Sequence, residues 1–258
     1  MFDTHIHTTF STDSKMKLEE AISAAKERDL SLIITEHMDI NHPEEGQFVF
    51  DTDEYFSSYG EYRNSDLLLG IELGLTDAYS EANGRIANEN KFDYVLGSLH
   101  FLGNYDIYFP EVYVGRSKED VYIQYLQDVY KNIVANQYID SLGHIDYICR
   151  YSPYEDKELY YSEYSDLIDE ILLALVKYDI AMEVNARRLS DKKALENLLV
   201  IYKRFYELGG RYVTIGSDSH YPQAIGMNFG NAKLICQETS LKPVYFKERT
   251  MIIDNLEV

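Results

Sequence analysis

The chain alternates between short apolar runs rich in β-branched residues and longer stretches in which apolar residues recur at helical spacing. The apolar runs lie at residues 1–5, 30–35, 67–71, 94–98, 138–143, 180–184 and 212–216. Strands separated by helices are typical of a parallel sheet, and seven of them favour a closed barrel over an open sheet. We therefore expect an α/β fold in which residues 1–258 form a single barrel domain.

Serine residues mark three expected helix starts. Ser14 precedes a helix over residues 15–28, Ser117 precedes one that runs to about residue 136, and Ser190 precedes a third. Further helices are expected near residues 52–63, 79–90 and 156–178, and a small hairpin over residues 244–253.

Histidine and acidic side chains follow the predicted strands where each strand ends, and six of the seven histidines lie there. His5 and His7 stand two apart, so on a strand both imidazoles point to the same face and can share a metal ion. Asp3 has the same parity and is expected to orient one of them. The carboxyl ends of barrel strands form a common site. The candidate metal ligands are His5, His7, Asp13, His37, Glu72, His100, His144, Asp218 and His220.

Nine candidate ligands are too many for a single ion. One divalent ion needs three or four ligands, with a position kept open for water, so nine suit two or three ions that share a carboxylate. A lone Asp or His at a strand end is often only a cap, and that alternative stays open for each residue taken singly. A Ser–His–Asp hydrolase would leave most of the histidines unexplained.

The net charge of −20 argues against nucleic acid and anionic membranes as partners. A small phosphate ester stays compatible with this charge, because bound divalent cations dominate their local field. Cys149 and Cys236 form no metal or disulfide pattern, and we expect them to be reduced. We expect neither a signal peptide nor a membrane span, and therefore a cytoplasmic enzyme of undetermined oligomeric state.

The strand ends carry six motifs: Asp3-Thr-His5-Ile-His7, Thr35-Glu36-His37, Gly70-Ile-Glu72, Gly97-Ser-Leu-His100, Gly143-His144-Ile-Asp146 and Gly216-Ser-Asp218-Ser-His220. In type and order they resemble the motifs of the polymerase and histidinol phosphatase (PHP) family. The similarity spans nearly the whole chain and is greatest to the stand-alone histidinol-phosphate phosphatases of bacteria. This resemblance implies a distorted TIM-like (β/α)7 barrel with a metal site at the C-terminal ends of the strands.

The resemblance also implies three metal positions, occupied by two to three divalent transition-metal ions (Zn, Mn, Fe or Co). Their expected ligand sets are His5, His7, Glu72 and Asp218 for the first, His100 and His144 with a bridging Glu72 for the second, and Asp13, His37 and His220 for the third. Many relatives carry His where this chain has Asp13, and Asp where it has Glu36. The third position is therefore richer in oxygen ligands here.

Two arginines are the expected contacts of a substrate phosphate, because the guanidinium fork donates two hydrogen bonds to phosphate oxygens. Arg150 and Arg187 follow strand ends, and they match arginines that contact the phosphate in the histidinol-phosphatase branch. His42 resembles a phosphate-contacting or proton-donating histidine of that branch, on a segment, 39–64, long enough to cover a pocket. The proton for the leaving alcohol would come from His42, Asp218 or a metal-bound water, and these alternatives stay open.

The expected activity is hydrolysis of L-histidinol phosphate, in histidine biosynthesis, by a metal-activated hydroxide. The substrate's cationic amine would need a carboxylate opposite it, for which Asp39 and Glu44 are candidates. The main alternative is a phosphoesterase of the same family that acts on a nucleotide or on phosphotyrosine. An amidohydrolase-like enzyme would usually need a bridging lysine, and a non-catalytic metal-binding module would leave the two arginines without a role.

Overall fold

A computed structural model describes residues 1–254 of the chain. Its strands are β1 (Phe2–Ile6), β2 (Ser31–Met38), β3 (Leu67–Gly74), β4 (Tyr94–Ser98), β5 (Phe101–Leu102), β6 (Tyr105–Asp106), β7 (Ser141–Leu142), β8 (Ala181–Asn185), β9 (Tyr212–Gly216), β10 (Lys242–Lys247) and β11 (Thr250–Ile253). Its α-helices are α1 (Leu18–Glu27), α2 (Thr52–Tyr59), α3 (Ser80–Glu89), α4 (Lys118–Ala135), α5 (Ile148–Tyr151), α6 (Ser165–Lys177), α7 (Lys192–Glu207) and α8 (Phe229–Thr239).

The main sheet contains all seven predicted strands, in the order β1-β2-β3-β4-β7-β8-β9, and every neighbouring pair among them is parallel. Helices connect these strands, which confirms the predicted α/β class. Beyond β9, the amide of His7 donates to the carbonyl of Ser219 (2.9 Å), and the amide of Ser219 donates to the carbonyl of His5 (3.3 Å). The sheet thus returns to its first strand at the carboxyl ends of the strands.

At the opposite end, the β10–β11 hairpin continues the same sheet beyond β9 as its last two strands. β10 runs parallel to β9, and Phe246 and Val244 join a buried apolar cluster with side chains from five of the barrel strands. The amide of Phe2 donates to the Asp254 carboxylate at 2.7 Å. The hairpin expected over residues 244–253 is confirmed, and its strands begin at residue 242. The hairpin therefore covers the end of the sheet that lies opposite the carboxyl ends of the strands.

The helix that Ser117 was expected to cap is confirmed, because the Ser117 hydroxyl accepts from the amide of Asp120 at 3.1 Å. The other two serines do not cap helices. Helix α1 begins only at Leu18, and the Ser14 hydroxyl instead donates to the carbonyl of His7 at 3.0 Å, tying the loop after β1 to the strand. The carboxylate of Asp191, one residue beyond the predicted Ser190, caps α7.

Three further helices differ from the sequence-based expectation. Helix α6 begins at Ser165, nine residues after its predicted start, and α5 and α8 were not predicted at all. Among the residues that the structure describes, no helix combines the length and the apolar character needed to cross a membrane.

Candidate metal centre

All nine predicted metal ligands lie at or just beyond the carboxyl ends of the parallel strands. His5 and His7 stand on and after β1, His37 on β2 and Glu72 on β3, and the other ligands follow β1, β4, β7 and β9. Eight of the nine residues are buried or nearly so, whereas the Asp13 side chain is 40% exposed. Buried ionisable groups at this density are costly unless they are paired or bind a metal.

Glu72 lies at the centre of the group. Its Oε2 is 3.2 Å from His5 Nε2, 3.4 Å from His7 Nε2 and 2.9 Å from His37 Nδ1. Its Oε1 is 3.3 Å from His100 Nε2 and 3.1 Å from His144 Nε2. Five imidazoles therefore surround one carboxylate, which is the arrangement expected of a ligand shared between two ions.

Several of these atoms make no hydrogen bond within the described structure. Five of the unpaired buried atoms lie on or around Glu72: His5 Nε2, His7 Nε2, His37 Nδ1, His100 Nε2 and Glu72 Oε2. Buried polar atoms are rarely left unpaired in folded proteins, and here five of them converge on one place. Nitrogen and oxygen donors together suit Zn, Mn, Fe or Co, so the residues fit the ions that the sequence predicts.

Burial and neighbouring charges set the ionisation of this group. Nearby carboxylates, Glu72 among them, outweigh burial and raise the pKa of His5, His37 and His100, so a metal ion would bind these rings in competition with protons. Burial alone would raise the pKa of Glu72, but the surrounding imidazoles outweigh it and hold that pKa well below its ordinary value. Burial, together with His37 and His220, lowers the pKa of His7, so its ring is neutral, as a metal ligand must be. The carboxylate is therefore ionised and this imidazole neutral at physiological pH.

Asp218 lies on the side of the group nearest β9. Its Oδ1 is 3.9 Å from His5 Nε2 and 3.7 Å from both His7 Nε2 and His220 Nδ1. Its backbone has a φ of 56°, in the left-handed region that residues other than glycine seldom adopt. Such strain is found at functional sites, where the surrounding structure holds it in place.

The outer edge of the group is formed by Asp13, His37 and His220. Asp13 Oδ2 lies 3.0 Å from His220 Nε2 and 3.7 Å from His37 Nε2. The His7 ring stacks on that of His37 and on that of His220, at centroid distances of 4.1 and 4.3 Å, and the latter two rings lie 5.8 Å apart. Asp13 thus stands where the third predicted ligand set needs an oxygen donor.

A second row of side chains orients the histidines from behind. His5 Nδ1 lies 2.6 Å from Glu183 Oε1, and His100 Nδ1 lies 2.9 Å from Asp39 Oδ1. His7 Nδ1 lies 3.1 Å from the Ser11 hydroxyl. In each case the second ring nitrogen is held, so that Nε2 is turned toward Glu72. Such contacts fix the ring and raise its basicity as a ligand.

Sequence reasoning missed these orienting residues and assigned the role to Asp3. The carboxylate of Asp3 instead accepts from the backbone amides of Ser217 (2.8 Å) and Gly226 (2.9 Å), and it contacts neither imidazole ring. Its parity was correct, but the β9 loop takes up its hydrogen-bonding capacity. A buried glutamate in an otherwise apolar strand was the available signal for Glu183.

At two positions, a glycine lets a ligand residue or its supporting carboxylate lie directly against a neighbouring strand. A Cβ on Gly216 would lie 2.4 Å from the Cβ of His5, and a Cβ on Gly74 would lie 1.8 Å from an Asp39 oxygen. A larger residue at either position would overlap with the His5 or Asp39 side chain, so only glycine fits without displacing it.

The two predicted phosphate-binding arginines meet at Asp218. Arg150 Nη1 lies 2.6 Å from Asp218 Oδ2, and Arg187 Nη1 lies 3.3 Å from Asp218 Oδ1. The Arg150 side chain is only 8% exposed and also donates to Asn185 Oδ1 at 2.9 Å, whereas that of Arg187 is 38% exposed. These cations outweigh the effect of burial and keep the pKa of Asp218 well below its ordinary value.

A cavity of about 430 Å³ opens beside the metal ligands. Three of the candidate ligands, Asp13, His37 and His100, line this cavity, as does His42. The His42 ring lies 5.0 Å from the ring of Phe48, and its Nδ1 is 3.2 Å from the backbone nitrogen and oxygen of Glu44. The volume is that of a small-molecule site, and the predicted covering segment supplies one of its walls.

Comparison with known proteins gives concordant matches. The family model described as PHP domain matches residues 3–187. The chain is 51% identical to a probable histidinol-phosphatase of Clostridium acetobutylicum, over 97% of this chain and 98% of that protein. It is 29% identical to the histidinol-phosphatase of Lactococcus lactis, over 92% and 90% of the two chains. The crystal structure of histidinol phosphate phosphatase from Lactococcus lactis, complexed with Zn, L-histidinol and phosphate, matches with a TM-score of 0.91, 27% identity and 98% coverage of both chains.

Proposed function

Because the chain belongs to the PHP domain family, we propose that it is a metal-dependent phosphatase that hydrolyses L-histidinol phosphate to L-histidinol and phosphate. The observation that carries the proposal is the convergence of five imidazoles on Glu72, with buried donor atoms left unpaired. Relatives matched along almost their whole length bear the name of this activity, and one of them was solved with Zn and both reaction products.

We assign the ions to the three ligand sets that the sequence predicts. These sets are His5, His7, Glu72 and Asp218; Glu72, His100 and His144; and Asp13, His37 and His220. When bound, such ions lower the pKa of water and supply a hydroxide near neutral pH. The residues behind the histidines keep each ring in the orientation that this requires.

The arginines bind the phosphate in this proposal. The Arg187 guanidinium is partly exposed beside Asp218, so it can donate to phosphate oxygens without leaving its place. Arg150 is almost fully buried and is held by Asp218 and Asn185, so it contributes a fixed positive charge beside the reacting group. Together they stabilise the charge that develops on the equatorial oxygens of the phosphoryl group.

The leaving alcohol needs a proton, and His42 is the cavity residue best placed to give it. Its ring lies in the wall of the cavity, outside the ligand group, so the metal ions do not claim its nitrogens. Asp218 is less suited, because two arginines hold it in the ionised form. The segment that carries His42 forms one side of the cavity, and its closure over bound substrate would exclude water.

A substrate panel tests the proposal against a phosphatase for nucleotides or phosphotyrosine. The purified protein is assayed for phosphate release from histidinol phosphate, nucleoside monophosphates and phosphotyrosine, with its metal content measured on the same sample. We expect the highest kcat/KM with histidinol phosphate. A higher value with a nucleotide or with phosphotyrosine would overturn the substrate assignment and leave only the phosphoesterase class.

We place this reaction in the cytoplasm. Cys149 and Cys236 are both free and buried, which suits a reducing compartment.

A further inference from the structure

Four carboxylates line the cavity beside the metal centre: Asp13, Asp39, Glu44 and Asp106. Histidinol phosphate carries a cationic amine a few bonds from its phosphate. The metal ions and arginines that hold the phosphate would repel that amine, so one of these four carboxylates must face it. The question rests on the proposed function and concerns the specificity of the same site.

Three of the four carboxylates are unsuited to the task. Asp13 lies against His220 and His37 in the third ligand set. Asp39, a candidate in the sequence analysis, is buried against His100 Nδ1 at 2.9 Å and orients that ring. Glu44, the other sequence candidate, is exposed at the rim, where water would screen its charge.

Asp106 remains, and no arginine or lysine neutralises it. It lies on β6 directly opposite Phe101, half-buried, and its Oδ1 accepts from the amide of Tyr108 at 2.8 Å. Within residues 1–254, no Arg or Lys side chain forms an ion pair with it. Burial raises the pKa of Asp106 above its ordinary value and outweighs the opposing effect of His100 and His42.

Aromatic rings make up the cavity wall around this carboxylate. The Tyr108 ring lies 5.1 Å from that of Tyr151, and Tyr151 lies 5.4 Å from Tyr147. Phe101 stands across the hairpin from Asp106. An ammonium is attracted both to a carboxylate and to the faces of aromatic rings, and both attractions are stronger where water is excluded.

We propose that Asp106 binds the substrate's ammonium group and thereby selects an aminoalkyl phosphate over an uncharged one. The phosphate is held at the metal end of the cavity, and the amine lies toward the β5–β6 hairpin, with aromatic rings on either side. Asp106 is a specificity-determining residue that takes no part in the hydrolysis itself. Its contact is the same before and during the reaction, so it acts on substrate affinity more than on turnover.

Asp106→Asn is the test variant, because the amide keeps the oxygen that accepts from Tyr108 and removes only the charge. Glu44→Gln removes a carboxylate from the rim of the same cavity and serves as the matched control. Wild type and both variants, all metal-loaded, are assayed with histidinol phosphate and with its deaminated analogue, which keeps the phosphate and the imidazole. Inhibition by L-histidinol and by inorganic phosphate is measured in parallel.

In Asp106→Asn we expect kcat/KM for histidinol phosphate to fall by about ten- to a hundredfold, chiefly through KM. The deaminated analogue, the inhibition constant of phosphate and the metal content should be unchanged, and inhibition by histidinol should weaken by a similar factor. Glu44→Gln should behave as wild type. Asp106→Glu, which restores the charge, should recover part of the loss.

Equal losses for the two substrates in Asp106→Asn would make Asp106 a structural residue and overturn the inference. So would an unchanged preference for the amine, or a selective loss in Glu44→Gln instead. Failure of the proposed function can be told apart from failure of this inference, because the substrate preference of the wild-type enzyme alone reveals it. A wild-type enzyme that prefers a nucleotide to histidinol phosphate overturns that function, and the inference with it.

Discussion

Glu72 is the central residue of the proposed metal centre, since both of its oxygens face imidazole nitrogens. Glu72→Gln preserves the size of the side chain but removes the charge that two ions would share. We expect kcat to fall by more than about a hundredfold, beyond the ten- to hundredfold typical of residues that only support a ligand. KM should change little, and elemental analysis should find less metal. Wild-type turnover with an unchanged metal count would show that Glu72 is not a ligand.

Asp13 stands at the exposed edge of the candidate ligand group, 3.0 Å from His220 Nε2. We expect Asp13→His to retain activity, because an imidazole can complete the set with His37 and His220. Asp13→Ala should lose one ion selectively, as measured by metal analysis after dialysis. Loss of all metal in both variants would mark Asp13 as a structural residue of the loop after β1.

The nine candidate ligands could be found from the sequence because each follows an apolar run, and strand ends meet at one edge of a parallel sheet. Their supporting residues could not be found this way. Parity places Asp3 and His5 on the same face, but it does not say that Glu183, on a strand far along the chain, reaches His5 first. Asp106 was missed for a similar reason, because the short β5–β6 hairpin has no recognisable period.

At the scale of elements, the β10–β11 hairpin depends on Arg249 at its turn. The Arg249 side chain donates to Asp140 Oδ2 at 2.6 Å and to the carbonyls of Ala87 and Tyr138. Glu248 and Arg249 both have positive φ values, 50° and 61°. A two-residue turn of this kind usually contains Asn or Gly, so turn chemistry in the sequence gives no sign of it. The hydrogen bonds of the Arg249 side chain to the rest of the fold hold this turn in place instead.

Arg249→Ala should therefore destabilise the fold without changing the metal centre. It leaves the carboxylate of Asp140 buried and unpaired, at a cost of about 3 kcal/mol. For a chain of this size we expect the melting temperature to fall by roughly 6–12 °C, as measured by calorimetry. Activity of the folded fraction at 25 °C should be that of wild type. An unchanged melting temperature would show that the hairpin is held by its apolar contacts alone.

The loss of folding stability caused by Arg249→Ala should also depend on pH. Burial raises the pKa of Asp140 to about 6 even beside Arg249, whereas in an unfolded chain an aspartate has its ordinary pKa, about 3.9. Because the pKa of Asp140 is higher in the folded than in the unfolded protein, the folded state loses stability as the pH rises between these two values. Removal of Arg249 raises the folded pKa further and so extends this loss to higher pH. The difference from wild type should be larger at pH 7.5 than at pH 5. The reverse order would contradict this account.

Element boundaries were predicted less well than the elements themselves. Residues 152–164, predicted in large part as helix, are mostly irregular apart from one short 3₁₀ turn. Acidic and tyrosine residues at helical spacing also occur in such irregular segments, so the sequence pattern placed the start of α6 too early. Helix α8 begins after Asn228, whose φ is 61°, and lacks a side-chain cap, so the usual start signal is absent.

For the molecule as a whole, the unpaired atoms of the metal centre predict that bound ions also stabilise the fold. Exhaustive chelation should abolish phosphatase activity and lower the melting temperature. A ligand present at about a hundred times its Kd contributes about 2.7 kcal/mol to the free energy of unfolding, or roughly 5–11 °C here. Added Zn or Mn should restore both. Full activity in a protein with no metal detectable by elemental analysis would refute the proposed function.

The contact between β1 and the segment after β9 has a consequence for the order of assembly. His5 and His7 stand near the start of the chain, and Asp218 and His220 join them only where the sheet returns to its first strand. Contacts between residues so far apart in sequence carry a large loop-closure entropy and form late in folding. During synthesis, a ribosome-bound chain can therefore complete its first ligand set only when its last helix is about to emerge. We therefore expect the ion of the proposed first set, and the activity that depends on it, to appear only late in folding.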